Sequence, residues 1–254
     1  MNKYTRLAEK LQNREKVIGT TMLMIKSPII LQQMNCDELD FVLFDAEHGV
    51  FDTQNVIELL QVCRLMGLPS LVRAQDSEYH LIAKAIDMGA DGIMIPRAES
   101  LEQLKTAVDA LLFYPEGRKG MGGHGQFRAG EAFADFKKTR FLMPQIESPK
   151  GIEMLPKMLE EYGEYISALM IGPYDLSVMV GTPADITSDI MIESIQKIFD
   201  ICNSYGKSCG IYCNDEVYAQ KYRDMGCNVL WTSSDKDFYM RGYNTEMDVL
   251  AKIR

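Results

Sequence analysis

No stretch of this chain approaches 18 consecutive apolar residues, so no membrane-spanning helix is expected. Its opening stretch, MNKYTRLAEKLQNREK, lacks the apolar run of a secretory signal; the pattern is polar and helical, and a cytoplasmic protein is expected. The six cysteines, Cys36, Cys63, Cys202, Cys209, Cys213 and Cys227, form no CxxC pair. Only Cys209 and Cys213 lie close, on one face of a strand, so buried free thiols are expected rather than disulfides or a metal site. Positive charge is in deficit: 27 Lys and Arg stand against 36 Asp and Glu, a net charge of −9. That argues against a nucleic-acid or anionic-membrane surface. It leaves room for a small anionic substrate, since a local Arg and a metal can override the global field. There is no linker, low-complexity tract or composition break, and residues 1–254 read as one domain.

What the chain does have is a strand-then-helix alternation. Strands are expected at 17–23, 41–47, 69–74, 92–98, 140–148, 165–177, 207–213 and 228–234. They are mostly continuous apolar runs, as when both faces of a parallel sheet are buried. Ser27, with Pro28 at the first helical position, Asp52 and Ser100 read as helix N-caps. Gln103 can close a capping box onto the Ser100 N–H. Gly67, Gly89 and Gly226 read as stops. A further helix spans roughly 185–205 and another closes the chain to Arg254. The 254 residues, 46% hydrophobic and 25% charged, match the roughly 250 of one (β/α)8 barrel. Its 17 Met residues read as core filler. The expected fold is α/β, a (β/α)8 TIM barrel with an extra N-terminal helix that can cap its bottom. A doubly wound open sheet is the alternative, disfavoured by the even spacing. Residues 114–139 are too long and Gly-rich for a routine connection, and a functional loop or lid is expected.

In a barrel, chemistry sits where the strands end. Read in order, those ends carry Asp45, Glu47 and His48; Arg73; Arg97 and Glu99; Gln145 and Glu147; Asp175; and Ser233, Ser234 and Asp235. An acid at the tip of a hydrophobic strand is costly without a cation, a basic partner or water. Glu147 and Asp175, at the tips of neighbouring strands, suggest a two-carboxylate site for a hard divalent ion with open positions. Gln145 shares a strand face with Glu147. The bland alternatives are surface acids for the pair, a packed histidine bonded to Asp45 for His48, and a surface ion pair for Arg73. His80 reads as structural, and His124 as a solvated loop histidine or part of a lid. The GMGGHG run has no flanking strand-to-helix turn and is no convincing phosphate cradle. Ser233 and Ser234 lack the Gly-rich partner loop that a phosphate site needs.

FDAEHGVFD, LVRA, MPQIES and IGPYDLS, in that order and spacing, resemble the HpcH/HpaI aldolase family of metal-dependent class II pyruvate aldolases. YPEGRKGMG is similar to that family's Tyr-Pro-Pro…Arg-Gly-x-Gly loop, and AIDMGADGIMIPRAES to another of its segments. The resemblance covers most of 17–235. It implies that Glu147 and Asp175 ligate Mg²⁺ or Mn²⁺. It implies that Arg73 holds the keto oxygen and the developing enolate, where a fixed cation is worth several kcal/mol. His48 is implied as general base through a water, with Asp45 orienting it, and Gln145 and the backbone around Tyr174 as pyruvate contacts. A further acid of the family site falls on Asp87, near the end of a helix on the wrong side of its own barrel. From there it reaches His48 only if another subunit presents it or if the helix ends elsewhere. The chain departs from the family at Ala46, Gly49-Val50, Ala74, Lys119 and Tyr174, and at Arg97, where an apolar residue is commoner. These departures touch the acceptor pocket rather than the metal and enolate machinery.

The reading is therefore a lyase that splits a 4-hydroxy-2-oxo acid into pyruvate and an aldehyde, as a homo-oligomer. Two rivals stay open. One is a carbon–carbon lyase on an acyl-CoA or oxaloacetate-type substrate. The other is a non-catalytic barrel that binds a 2-oxo acid.

Overall fold

The computed structural model describes residues 2–253. Helix α1 (Lys3–Gln12) precedes the barrel, whose strands are β1 (Val17–Met22), β2 (Phe41–Asp45), β3 (Ser70–Arg73), β4 (Gly92–Ile95), β5 (Phe141–Pro144), β6 (Leu169–Ile171), β7 (Cys209–Cys213) and β8 (Val229–Ser234). Between and after them run α2 (Ile29–Met34), α3 (Thr53–Leu65), α4 (Tyr79–Met88), α5 (Leu101–Leu111), α6 (Pro149–Tyr162), α7 (Pro173–Met179), α8 (Asp189–Ser204), α9 (Glu216–Asp224) and α10 (Asp235–Leu250). The strands are parallel and ordered β5-β4-β3-β2-β1-β8-β7-β6, the consecutive order of a barrel rather than of a doubly wound sheet. The closing seam, β5 against β6, is short. It consists of the Gln145–Met170 bridge, the Ile146 N–H to Met170 C=O bond at 2.8 Å and the Ser167 N–H to Leu142 C=O bond at 2.9 Å.

Two apolar layers result from strand alternation. Phe41, Leu43, Leu71, Met94, Met143, Met170, Val229 and Trp231 fill the barrel interior. Leu7 and Leu11 of α1 join that cluster, so α1 plugs the barrel bottom as expected. Gly19 is required inside: a Cβ there would lie 2.1 Å from the Phe41 ring. The other strand faces pack on the helices with Leu59, Ile82, Leu104, Leu155 and Ile198.

Local capping departs from expectation at two helices. Pro28, not Ser27, is the N-cap of α2, and it makes no side-chain cap bond. Asp52 and Asn55 form a full capping box on α3. Ser100 caps α5, but Gln103 Oε1 accepts from the Glu99 N–H at 2.7 Å instead of closing onto Ser100 N–H. Five cysteines are buried free thiols as expected, whereas Cys36 is exposed. His80 lies exposed in the first turn of α4. The closing helix ends at Leu250 with a short turn after it, and Arg254 lies outside the described residues. Among the described residues, no helix is long and apolar enough to cross a membrane.

Candidate active site

The site forms at the C-terminal strand ends. β2 and β3 pair in the register Asp45↔Arg73, which sets a carboxylate beside a guanidinium. Asp45 is fully buried and accepts from Arg73 Nε at 2.9 Å and also from its Nη2. The same carboxylate accepts the backbone N–H of Glu47 at 3.0 Å and of His48 at 3.2 Å. Burial works against the Arg73 charge, but the Asp45 bond and the charges of Asp45, Glu47 and Glu147 outweigh it and hold the guanidinium protonated. Arg73 Nη1 donates to Gln145 Oε1 at 3.4 Å, and Gln145 Nε2 donates to Glu147 Oε2 at 3.3 Å. One chain of bonds, Asp45–Arg73–Gln145–Glu147, thus crosses from β2 to β5. The Gln145 amide can serve as its link because it accepts at one atom and donates at the other.

Glu147 is buried, and its Oε1 accepts the Arg97 N–H at 2.8 Å. Burial pushes its carboxyl up to about 7; the Arg97 N–H and Arg73 oppose the rise, while Asp175 and Glu47 add to it. Gly172 is what leaves room for this side chain, since a Cβ there would lie 2.1 Å from Glu147 Oε2. Asp175 is exposed and sits in the first turn of α7, not at the tip of β6 as expected. Pro173 opens that helix at its first position, so β6 stops at Ile171.

Glu147 and Asp175 fit a hard divalent ion on their own chemistry. Both are oxygen donors, and Glu147 is a buried acid whose direct hydrogen-bond partners are an amide and a backbone N–H rather than a cation. Among the described residues, no group of three or more His, Cys, Asp or Glu is placed to hold a metal. Two carboxylates alone would leave most positions around such an ion open.

His48 stands at the rim with its side chain 60% exposed, Nε2 lying 3.8 Å from Glu47 Oε2. Asp45 binds the backbone N–H of His48 and the Arg73 guanidinium; it makes no hydrogen bond to the imidazole it was expected to orient. Glu47 approaches the ring instead. Burial raises the Glu47 pKa against the opposing charges of Arg73 and His48.

A cleft of about 400 Å³ opens beside these groups, with His48, Arg73, Gln145, Tyr174 and Asp175 on its wall. Sequence reasoning missed its far wall, built by Thr21, Tyr212 and Trp231. Trp231 Nε1 donates to Thr21, the Tyr212 ring meets Trp231 edge-on at 5.2 Å, and Arg73 Cζ lies 5.9 Å from the Trp231 ring centre. The signal was available: the sole Trp occupies an inward position of β8.

Asp87 is not at this mouth. It lies in the last turn of α4, at the opposite face of the barrel, where Oδ1 accepts from Lys119 Nζ at 2.6 Å and Gln126 Nε2 at 2.7 Å. Residues 114–139 connect the end of α5 to the start of β5, so they too belong to that lower face and form no lid over their own mouth. His124 is exposed on this loop. After β8, Ser234 caps α10, and Asp235 accepts the N–H groups of Leu23, Met24 and Ile25. These residues brace the β1 loop.

A family model described as HpcH/HpaI aldolase/citrate lyase matches residues 21–236. A hydroxypyruvate/pyruvate aldolase of Delftia acidovorans is 31% identical over 77% of this chain and 74% of its own. A 5-keto-4-deoxy-D-glucarate aldolase of Salmonella arizonae is 26% identical over 90% of each chain. An HpcH/HpaI aldolase crystal structure from Desulfitobacterium hafniense superposes with a TM-score of 0.89 at 23% identity, over 97% of this chain and 96% of that one. At that identity the superposition speaks for the fold.

Proposed function

The chain belongs to the HpcH/HpaI aldolase/citrate lyase family, and on that premise we propose that it cleaves a 4-hydroxy-2-oxo acid into pyruvate and an aldehyde. It is an enzyme of the aldolase type. The observation that carries the finer reading is the bond chain from Asp45 through Arg73 and Gln145 to Glu147, whose carboxyl also feels the charge of Asp175.

Glu147 and Asp175 would hold Mg²⁺ or Mn²⁺, which supplies Lewis acidity toward the 2-oxo group of the substrate. Arg73, locked by Asp45, presents a fixed positive charge where the enolate oxygen develops, so little reorganisation is needed as charge builds. Gln145 and the backbone around Tyr174 contact the pyruvate portion. His48 takes the C4-hydroxyl proton through a bridging water. The C4–O bond becomes a carbonyl, the C3–C4 bond breaks, and its electrons enter the enolate. The proton taken by His48 returns through the water to C3, which completes pyruvate. Asp45 acts by positioning Arg73 and the His48 backbone.

Homo-oligomerisation belongs to the same proposal. Along α10, Phe238, Tyr239, Met240, Tyr243 and Met247 are exposed, and Asp235 is its buried residue. In this reading a second copy covers that helix, and the neighbour supplies Asp87 to a shared site. The protein acts on small molecules in the cytoplasm, with neither nucleic acid nor membrane as partner.

The test is proton–deuterium exchange at the pyruvate methyl, followed by NMR with Mg²⁺ or Mn²⁺ and again with EDTA. Metal-dependent exchange is expected. No exchange in folded protein that binds the metal would sink the enolate chemistry.

A further inference from the structure

The hydrogen bonds of Arg73 constrain it chiefly in one plane. Asp45 accepts from its Nε at 2.9 Å and from its Nη2, and Gln145 Oε1 accepts from its Nη1 at 3.4 Å. Glu47 adds a charge 3.3 Å from Nη1. The N–H groups that make these bonds all lie in the plane of the guanidinium. They fix the group along that plane and resist rocking out of it only weakly. A cation that is to stand still while an enolate oxygen develops needs a limit in that third direction as well.

Trp231 stands in that direction. Arg73 Cζ lies over the indole, 5.9 Å from the ring centre and within reach of a cation–π attraction. The ring is itself held on its other sides. It is buried at an inward position of β8, and its Nε1 donates to Thr21 of β1. The Tyr212 ring of β7 meets it edge-on at 5.2 Å, and the Tyr212 hydroxyl donates to Asp237 Oδ2 at 2.6 Å. Asp237 is kept in the first turn of α10 by its capping box with Ser234. Contacts from β1, β7 and α10 thus immobilise one ring, and among the described residues Arg73 is the cation over its face. Both residues line the same cleft, so the contact sits at the site and not in the distant core.

We propose that Trp231 is a positioning residue whose π face, through a cation–π contact, holds the Arg73 guanidinium where it stabilises the enolate. The inference rests on the aldolase reading above. Asp45 sets the direction in which Arg73 points, and Trp231 keeps it from leaving that direction. Because Arg73 is buried here, the ring's attraction for it is screened less than at a surface.

Trp231 is the sole tryptophan of the chain, so expression on fluorinated tryptophan alters this ring alone. Monofluoro- and difluorotryptophan, substituted on the benzo ring, keep the indole shape and its N–H and withdraw electron density from its face step by step. The readout is kcat and KM for deuterium exchange into the pyruvate methyl with Mg²⁺, with Mg²⁺ affinity measured separately. Across the fluorinated series kcat should fall stepwise, about two- to fivefold in all, while Mg²⁺ affinity stays constant. Trp231→Leu should lower kcat up to about thirtyfold, and Trp231→Phe, which keeps a weaker π face, should lie between it and the wild type. A kcat that stays level across the fluorinated series overturns the proposal, whether or not Trp231→Leu folds, because the ring would then be a steric wall only. A change confined to KM overturns it too, since Trp231 would then be a binding contact. These outcomes concern Trp231 alone when the wild type exchanges the pyruvate methyl. A wild type without exchange overturns the aldolase reading and this inference with it.

Discussion

Glu147 is buried with Asp175 and Glu47 for neighbours, and its protonation answers to all of them. Its carboxyl is raised from 4.5 to about 7 in the folded protein. Folding therefore favours the protonated form, so this group erodes stability as pH rises from its ordinary value through about 7. In EDTA, the thermal stability of the wild type should fall relative to Glu147→Gln between about pH 5 and pH 8, because the amide does not titrate. Mn²⁺ should restore the wild type alone at the upper end, where the carboxylate is free to bind. Parallel melting curves for the two proteins would show that the acid is not held as described. The identity of this residue was legible in MPQIES. Its burial was not, because Gly172 and the Arg97 N–H that frame the carboxylate come from other strands.

At the scale of elements, the 114–139 segment is ordered by buried charge rather than by secondary structure. Asp91, fully buried at the start of β4, accepts from the Ser70 N–H at 3.0 Å and from Arg128 Nη1 at 2.6 Å. Burial raises the Asp91 pKa, with Arg128 and Arg140 opposing. Arg140 in turn bonds Glu131 at 2.9 Å. Arg128→Met would leave Asp91 buried without its cation, and urea unfolding should report a loss of about 3–5 kcal/mol. Adding Asp91→Asn to it should recover part of that loss, since the uncompensated charge is then gone. An Arg128→Met protein as stable as the wild type would mean that Asp91 is neutral or solvated. Length and glycine content marked this segment as unusual. That it serves the lower face follows from where α5 ends and β5 begins. Asp175 is a similar case: Pro173 in the sequence already permits a helix start, but only the short β6 shows that the helix takes Asp175 out of the strand.

For the molecule as a whole, Asp87 and His48 sit at opposite ends of one barrel, each in an ordered setting. Asp87 is gripped by Lys119 and Gln126 of the lower loop, and His48 is fixed at the mouth through its backbone. If two copies share a site, inactive Asp87→Asn and Glu147→Gln subunits should complement after mixing and reassembly. Random pairing of a dimer gives roughly a quarter of the wild-type activity. Activity that stays at the level of the separate variants would place Asp87 outside the reaction. Sequence alone determined the barrel, because apolar runs at regular spacing bury both faces of parallel strands, and caps and glycines mark the helices between them. It also determined which charged residues stand at strand ends, because position along a strand is a local property. Only the tertiary structure decided which of them meet. The Asp45↔Arg73 register, the Arg73–Gln145 bond, the Trp231 wall and the Arg97 N–H on Glu147 join residues far apart in the chain. Those contacts depend on how strands pair and where the barrel closes, and no local pattern encodes that.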